Sequence, residues 1–148
     1  MGKIKLEKLL ISKDRVDYWF TTTEDLRRFF KSPMHLFMQY DRCIECVPES
    51  ILVIPFLGNV MQIAWLTDAE VCVDKVDSTF CRSLQRLRDA YQKMYPDCPL
   101  GGTLHAECED NDASATEKSA QMFTGGMDAV TTFIRHADEK PLLILEYG

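Results

Sequence analysis

The residues with the clearest chemical potential lie near the carboxyl end, in Phe123-Thr124-Gly125-Gly126-Met127-Asp128, where an apolar strand runs through a glycine turn into a helix. Glycines admit backbone conformations and close approaches that a side chain blocks. Amides freed at the turn point at an anion, and the helix amino terminus adds a favourable dipole. That chemistry suits a phosphate. Thr124 contributes a hydroxyl donor at the same lip, and Thr131, one turn into the helix, supplies another. Asp128 caps first-turn amides or, with nucleotide present, holds a Mg²⁺ that bridges phosphate oxygens. The plainer alternative is a tight turn with Asp128 as an ordinary cap, and short glycine motifs often mean no more than that.

Other constellations offer less. Cys43-Ile44-Glu45-Cys46 has the spacing of half a zinc site or a redox pair, but a structural zinc site needs a second such cluster, and the sequence has none. The pair reads first as thiols, with Cys43 and Cys46 the residues a zinc would take. His35, His105 and His136 are scattered, so no Cys/His or Ser/His hydrolase can be assembled by spacing. His136 reads as a partner for a helix carboxyl end and His105 as a surface residue. Trp19, Phe20, Phe29, Phe30, Phe37 and Trp65 are expected in the core, because basic residues are not interleaved with them as a base-stacking platform requires. Asp68, Glu70, Asp74 and Asp77 read as a solvated acidic face.

The elements that must position these groups follow from pattern. Residues 4–10 and 15–22 flank a polar turn and predict a hairpin. Thr23-Glu24-Asp25 predicts a capped helix carrying Leu26, Phe29 and Phe30, ending near Ser32-Pro33, with a strand from His35 to Tyr40 beyond it. A buried helix is expected near 49–66 and a short strand at Val71-Cys72-Val73. Ser78 to Met94 reads as an amphipathic helix with Phe80, Leu84, Leu87 and Tyr91 on one face. Turn chemistry at Cys98 to Gly102 precedes the acidic tract ECEDNDASATEK, Glu107 to Lys118. This organisation predicts an α+β domain over 1–108, an acidic linker over 109–118, and a β-α-β unit over 119–148. The unit comprises a strand at 120–123, a helix from Asp128 to Ala137, and a parallel strand from Leu142 to Tyr147. The overall class is α/β.

Composition sets the limits. The chain has 148 residues, 46% of them hydrophobic, enough for an ordinary globular core. Its net charge of −6 and the lack of a free-standing basic cluster argue against a nucleic-acid surface. Small-molecule or protein partners fit better. No apolar run approaches a membrane span, and lysines interrupt the first ten residues, which places the protein in the cytoplasm. The six cysteines then read as thiols rather than as a disulfide framework.

The segment from Phe123 to Ala129 resembles the Ser-Gly-Gly-x-Asp-Ser signature of PP-loop ATP pyrophosphatases, the adenine-nucleotide alpha-hydrolase-like superfamily. It is most similar to 7-cyano-7-deazaguanine synthase-like members. Thr131 in the following helix and Tyr147-Gly148 at the end of the second strand fit that likeness. Over the longer chain, including Pro48-Glu49-Ser50 to Pro96, the resemblance is to proteins that carry an accessory amino-terminal domain before such a loop. The family implies a Rossmann-like parallel sheet and ATP with Mg²⁺ bound through Thr124, Gly125, Gly126 and Asp128. It also implies adenylation of a substrate oxygen with release of pyrophosphate. The zinc cysteines of the deazaguanine synthases fall beyond the region matched. Thr124 replaces the usual serine conservatively, and Ala129 lacks the hydroxyl that often follows the aspartate. Only the first β-α-β unit of such a sheet lies within residues 119–148, so the chain alone is expected to bind rather than turn over. Its last strand is expected to need the amino-terminal domain, a second copy or a partner chain along its edge.

Overall fold

The computed structural model describes residues 2–111 and 119–144. Most of the expected linker, the end of the last strand at 145–147 and Tyr147-Gly148 lie outside the described residues. The chain divides into two compact units, Met1–Asn111 and Asp112–Gly148, and its class is mixed α/β.

In the larger unit β1 (Lys3–Ser12) and β2 (Arg15–Thr22) form the expected antiparallel hairpin. β3 (His35–Gln39) adds antiparallel to β2. The chain then makes α1 (Glu49–Leu52) and α2 (Ile54–Thr67), returns as β4 (Glu70–Asp77) parallel to β1, and crosses through α3 (Ser78–Met94) to β5 (Thr103–Glu109) parallel to β4. The sheet order is β3-β2-β1-β4-β5, with β2 alone running against the others.

The expected helix near 49–66 is two segments meeting at Val53. Pro55 has no N–H to donate back to the preceding turn, so the hydrogen-bond ladder is interrupted there. Past that break, Phe56, Leu57, Val60, Met61, Ala64 and Trp65 are all buried. They meet Ile4, Val16, Tyr18, Phe20, Val71 and Val76 from the sheet in one core. Tyr18 stacks on Phe56 with ring centroids 5.8 Å apart. Its hydroxyl donates to the Leu52 carbonyl at 2.6 Å, and burial pushes its pKa up, which keeps it a neutral donor.

Four expectations are corrected. The segment after Thr23 is a 3₁₀ helix, Glu24–Phe29, without a side-chain cap, because the Thr23 hydroxyl accepts the Lys3 amide of β1 at 2.9 Å. Trp19, Phe29 and Phe37 are exposed (41%, 43% and 51%). Trp19 alternates with buried Tyr18 and Phe20 and so lies on the opposite sheet face. Residues 103–109, of which Glu107 to Glu109 were expected in the acidic tract, are β5. Leu104 and Ala106 pack on the core, while Thr103, His105 and Glu107 take the other face. The boundary therefore falls after Asn111, and Glu109 pairs with Asp77 across the β4–β5 ladder.

Gly102 shows why β5 starts where it does. It sits at φ +74°, and a Cβ there would meet the Ala64 carbonyl oxygen at 2.5 Å. The Gly102 amide donates to Asp68 Oδ1 at 2.8 Å, and Asp68 itself closes α2 in a left-handed conformation. Asp77 is likewise not part of a free acidic face. Its Oδ1 accepts the Phe80 amide as the cap of α3, and its Oδ2 accepts from Asn111. Asn111 also bonds buried Ser50, tying α1 to the end of the sheet.

Two stability predictions follow from these contacts. Tyr18→Phe leaves a buried carbonyl unpaired and is expected to cost about 1–2 kcal/mol, read as a lower urea midpoint at unchanged slope. Asp77→Ala is expected to cost about 1 kcal/mol through the lost cap. Hydrogen bonding from Asn111, then from the Phe80 amide, lowers the Asp77 pKa from its ordinary 3.8. Its stabilisation is thus fully present above that ordinary value and lost as pH falls through the lower folded value. The midpoint gap between wild type and Asp77→Ala should narrow in acid and stay constant from pH 5 to 7.

Candidate functional site

The smaller unit is built as the glycine motif requires. β6 (Ala120–Met122) and β7 (Leu142–Ile144) pair in parallel, Ala120 opposite Leu142 through Met122 opposite Ile144, with α4 (Met127–Arg135) between them in sequence. The ladder is extended at both ends, by the Phe123 amide donating to the Ile144 carbonyl and the Leu142 amide to the Ser119 carbonyl, each at 2.9 Å. α4 is held to β6 by Gln121, whose Nε2 donates to the Ala129 carbonyl at 2.6 Å, and by the edge-on contact of Phe123 with Phe133. The expected helix end at Ala137 is replaced by a stop at Arg135 and a 3₁₀ turn, Ala137–Glu139.

The loop delivers Gly125 at φ +76°, a region that disfavours any residue with a Cβ. Gly126 is the N-cap of α4 in an ordinary extended conformation, and its carbonyl accepts the Val130 amide at 3.0 Å. Among the described residues no side chain caps α4, and Asp128 makes no cap on its own helix. Helix geometry leaves the first-turn amides without intrahelical acceptors, and they stand at a surface where an added Cβ on Gly125 meets nothing within 4 Å. At Gly126 the nearest atom to such a Cβ is Thr124 Oγ1, at 3.5 Å. Thr124 therefore does border the glycine pair. Asp128 and Thr131, three residues apart, share one side of the exposed helix. The donor set fits an anion, and Asp128 fits a cation accompanying it.

At the other end of this unit, a cleft of about 220 Å³ lies between Ser119, Gln121, Thr132, His136, Glu139 and Pro141. His136 is the C-cap of α4 there, as its sequence position suggested, and its Nδ1 lies 2.6 Å from Glu139 Oε1. That hydrogen bond lowers the Glu139 pKa.

The remaining candidates of the larger unit sit elsewhere in the fold. Cys43 and Cys46 are both exposed in the loop before α1, Cys43 donating to Glu45 at 3.5 Å. Among the described residues no group of three or more His, Cys, Asp or Glu side chains is arranged to hold a metal ion. On the sheet face away from the helices the structure assembles a constellation that sequence spacing did not reveal. Arg15 forks onto Asp17 at 2.9 and 2.7 Å, His35 Nε2 lies 2.7 Å from the same carboxylate, Trp19 stacks on His35, and Arg15 covers Phe37. Arg15 first, then His35, lowers the Asp17 pKa against the opposing effect of burial. Strand pairing alone unites these residues, which are opposed in the β2–β3 register. Their polar groups satisfy one another, so the cluster reads as cross-strand stabilisation. Between α2 and α3 a cleft of about 320 Å³ is lined by Trp65, Tyr91, Tyr95, Leu66 and Leu100, with no charged group among its lining residues.

No helix among the described residues is long and apolar enough to cross a membrane. The chain matches no protein-family model, no curated protein and no solved structure, so its candidate site stands on its own geometry and on the motif it carries.

Proposed function

We propose that Thr124, Gly125, Gly126 and Asp128, with Thr131 behind them, form the pyrophosphate-binding loop of a PP-loop ATP-pyrophosphatase-like unit. In this reading the unit is the first β-α-β of a Rossmann-like sheet related to 7-cyano-7-deazaguanine synthase-like proteins. The observation that carries it is the parallel β6–α4–β7 arrangement, in which a left-handed glycine and an uncapped helix amino terminus meet at the carboxyl end of a strand. That is where open α/β sheets take ligands. The first-turn amides of α4 and the Thr124 hydroxyl donate to phosphate oxygens. Asp128 would hold the accompanying Mg²⁺, whose charge would offset the repulsion between its carboxylate and the phosphates. ATP held by these residues would supply an activated phosphoanhydride for adenylation of a substrate oxygen, with pyrophosphate as the leaving group. The loop residues orient and neutralise the departing group. Binding is the activity these residues supply, and the amino-terminal unit is assigned substrate selection or oligomer contacts in a cytoplasmic enzyme acting on a small molecule.

A second reading, a non-catalytic interaction or oligomerisation module with a vestigial loop, draws on a different observation. α4 buries none of its residues, and Met127, Ile134 and Leu142 are exposed at 84%, 68% and 69%. Such apolar surface normally faces a partner.

Calorimetry with Mg-ATP separates the two. Wild type is expected to bind. Asp128→Ala and Gly126→Val are each expected to weaken binding tenfold or more, about 1.4 kcal/mol. Gly126→Val is the cleaner steric probe, because the extended backbone at Gly126 accepts a side chain without strain. Absence of heat from wild type, together with self-association in sedimentation, would favour the interaction module.

A further inference from the structure

The two thiols in contact in this fold are not the pair that sequence spacing singles out. Cys81 is in the first turn of α3 and Cys108 is near the end of β5, 27 positions apart, yet their Sγ atoms lie 3.2 Å from each other. The crossover from β4 through α3 to β5 brings them together. Cys108 is opposite Val76 in the parallel register, and Leu104, Ala106 and Cys108 recur at alternate positions toward α3. The pair lines a cleft of about 250 Å³ with Leu84, Gln85, Arg88 and Thr103. Cys108 is exposed, and Cys81 is half-buried behind it. The thiols of Cys43 and Cys46 are both exposed, and Cys43 bonds to Glu45 rather than to its neighbour.

We propose that Cys81 and Cys108 form a reversible intramolecular disulfide, closed by a small-molecule disulfide such as oxidised glutathione, that staples α3 to β5. The gap to an S–S bond is only about 1 Å, within reach of side-chain torsion alone. In the first step the exposed Cys108 thiolate attacks one sulfur of glutathione disulfide. A Cys108–glutathione bond forms, the glutathione S–S bond breaks, and one glutathione thiolate leaves. In the second step Cys81 gives its proton to solvent and attacks the Cys108 sulfur, and the second glutathione thiolate leaves. Two protein thiols are thereby oxidised by two electrons, and one glutathione disulfide is reduced to two thiols. Burial, followed by the hydrogen bond and charge of Cys108, pushes the Cys81 thiol up to about 11. Exposure sets the order of attack, because Cys108 is open to glutathione disulfide and Cys81 lies half-buried behind it.

The test is to treat the protein with oxidised glutathione and follow intact mass and non-reducing tryptic peptides. A Cys98→Ser background is needed because Cys98 shares the tryptic peptide of Cys108. The expected product has lost two hydrogens and carries a bond between the peptides of Cys81 and Cys108, and its Tm is raised by several degrees. Cys81→Ser should instead stop at a stable glutathione adduct on Cys108, and dithiothreitol should restore the mass of the untreated protein in each case. A two-hydrogen loss that maps to Cys43 and Cys46, or a glutathione adduct on Cys108 that persists in the presence of Cys81, would overturn the proposal.

Discussion

The larger unit depends on α2 lying across the sheet with almost no polar side to spare. Six of its residues, from Phe56 to Trp65, are buried against strands β1, β2 and β4. Each large apolar side chain so buried contributes about 1.5–3 kcal/mol before entropy is counted. A helix fixed that firmly dictates its surroundings. Its carboxyl end must stop at Asp68 to let the chain turn into β4. The backbone at Gly102 must pass so close to Ala64 that no side chain fits, and β5 then has one course, alongside β4. The contact between Cys81 and Cys108 is a product of the same constraint.

The smaller unit is governed differently. Among the described residues its ladder is three residue pairs long, and α4 is held by the Gln121 amide hydrogen bond to Ala129 and the contact of Phe123 with Phe133. Apolar side chains of α4 and β7 remain in the open. Such a unit gains proportionately more order from anything that covers it or binds it, whether further sheet, another polypeptide or an anion at the helix amino terminus. An uncapped α4 costs stability that Ser or Asp at position 126 would return. Glycine there forgoes the cap and keeps the amides free.

Much of the architecture was legible in the sequence, for reasons visible in particular residues. The hairpin announced itself by turn residues between two apolar runs, and α3 by Phe80, Leu84, Leu87 and Tyr91 at helical spacing, of which Leu87 is exposed at 40% while the other three face the core. The strand-loop-helix-strand order around Gly125 was also readable. β5 was not, because its outward residues Thr103, His105 and Glu107 are polar, so a half-buried strand looked like a polar tract. Hydrophobicity alone did not say which sheet face Trp19 and Phe37 would take. The helix cap at Thr23 failed because its hydroxyl was claimed by β1, a partner 20 residues away in sequence. Spacing carried no signal for the Arg15, Asp17, His35 cluster or for the thiol pair, since only strand register and the crossover unite them. Whether the amides of the glycine loop were free was equally hidden, being a fact of backbone geometry.

The central claim is that backbone amides between Gly125 and Asp128 bind phosphate, and amide chemical shifts report on it most directly. In ¹H–¹⁵N spectra of the labelled protein titrated with Mg-ATP and, separately, with Mg-pyrophosphate, both ligands should move Gly125, Gly126, Met127 and Asp128 along saturable curves while β5 and α2 stay still. Saturable shifts confined to other residues, or a glycine loop unmoved at millimolar ligand, would contradict the account.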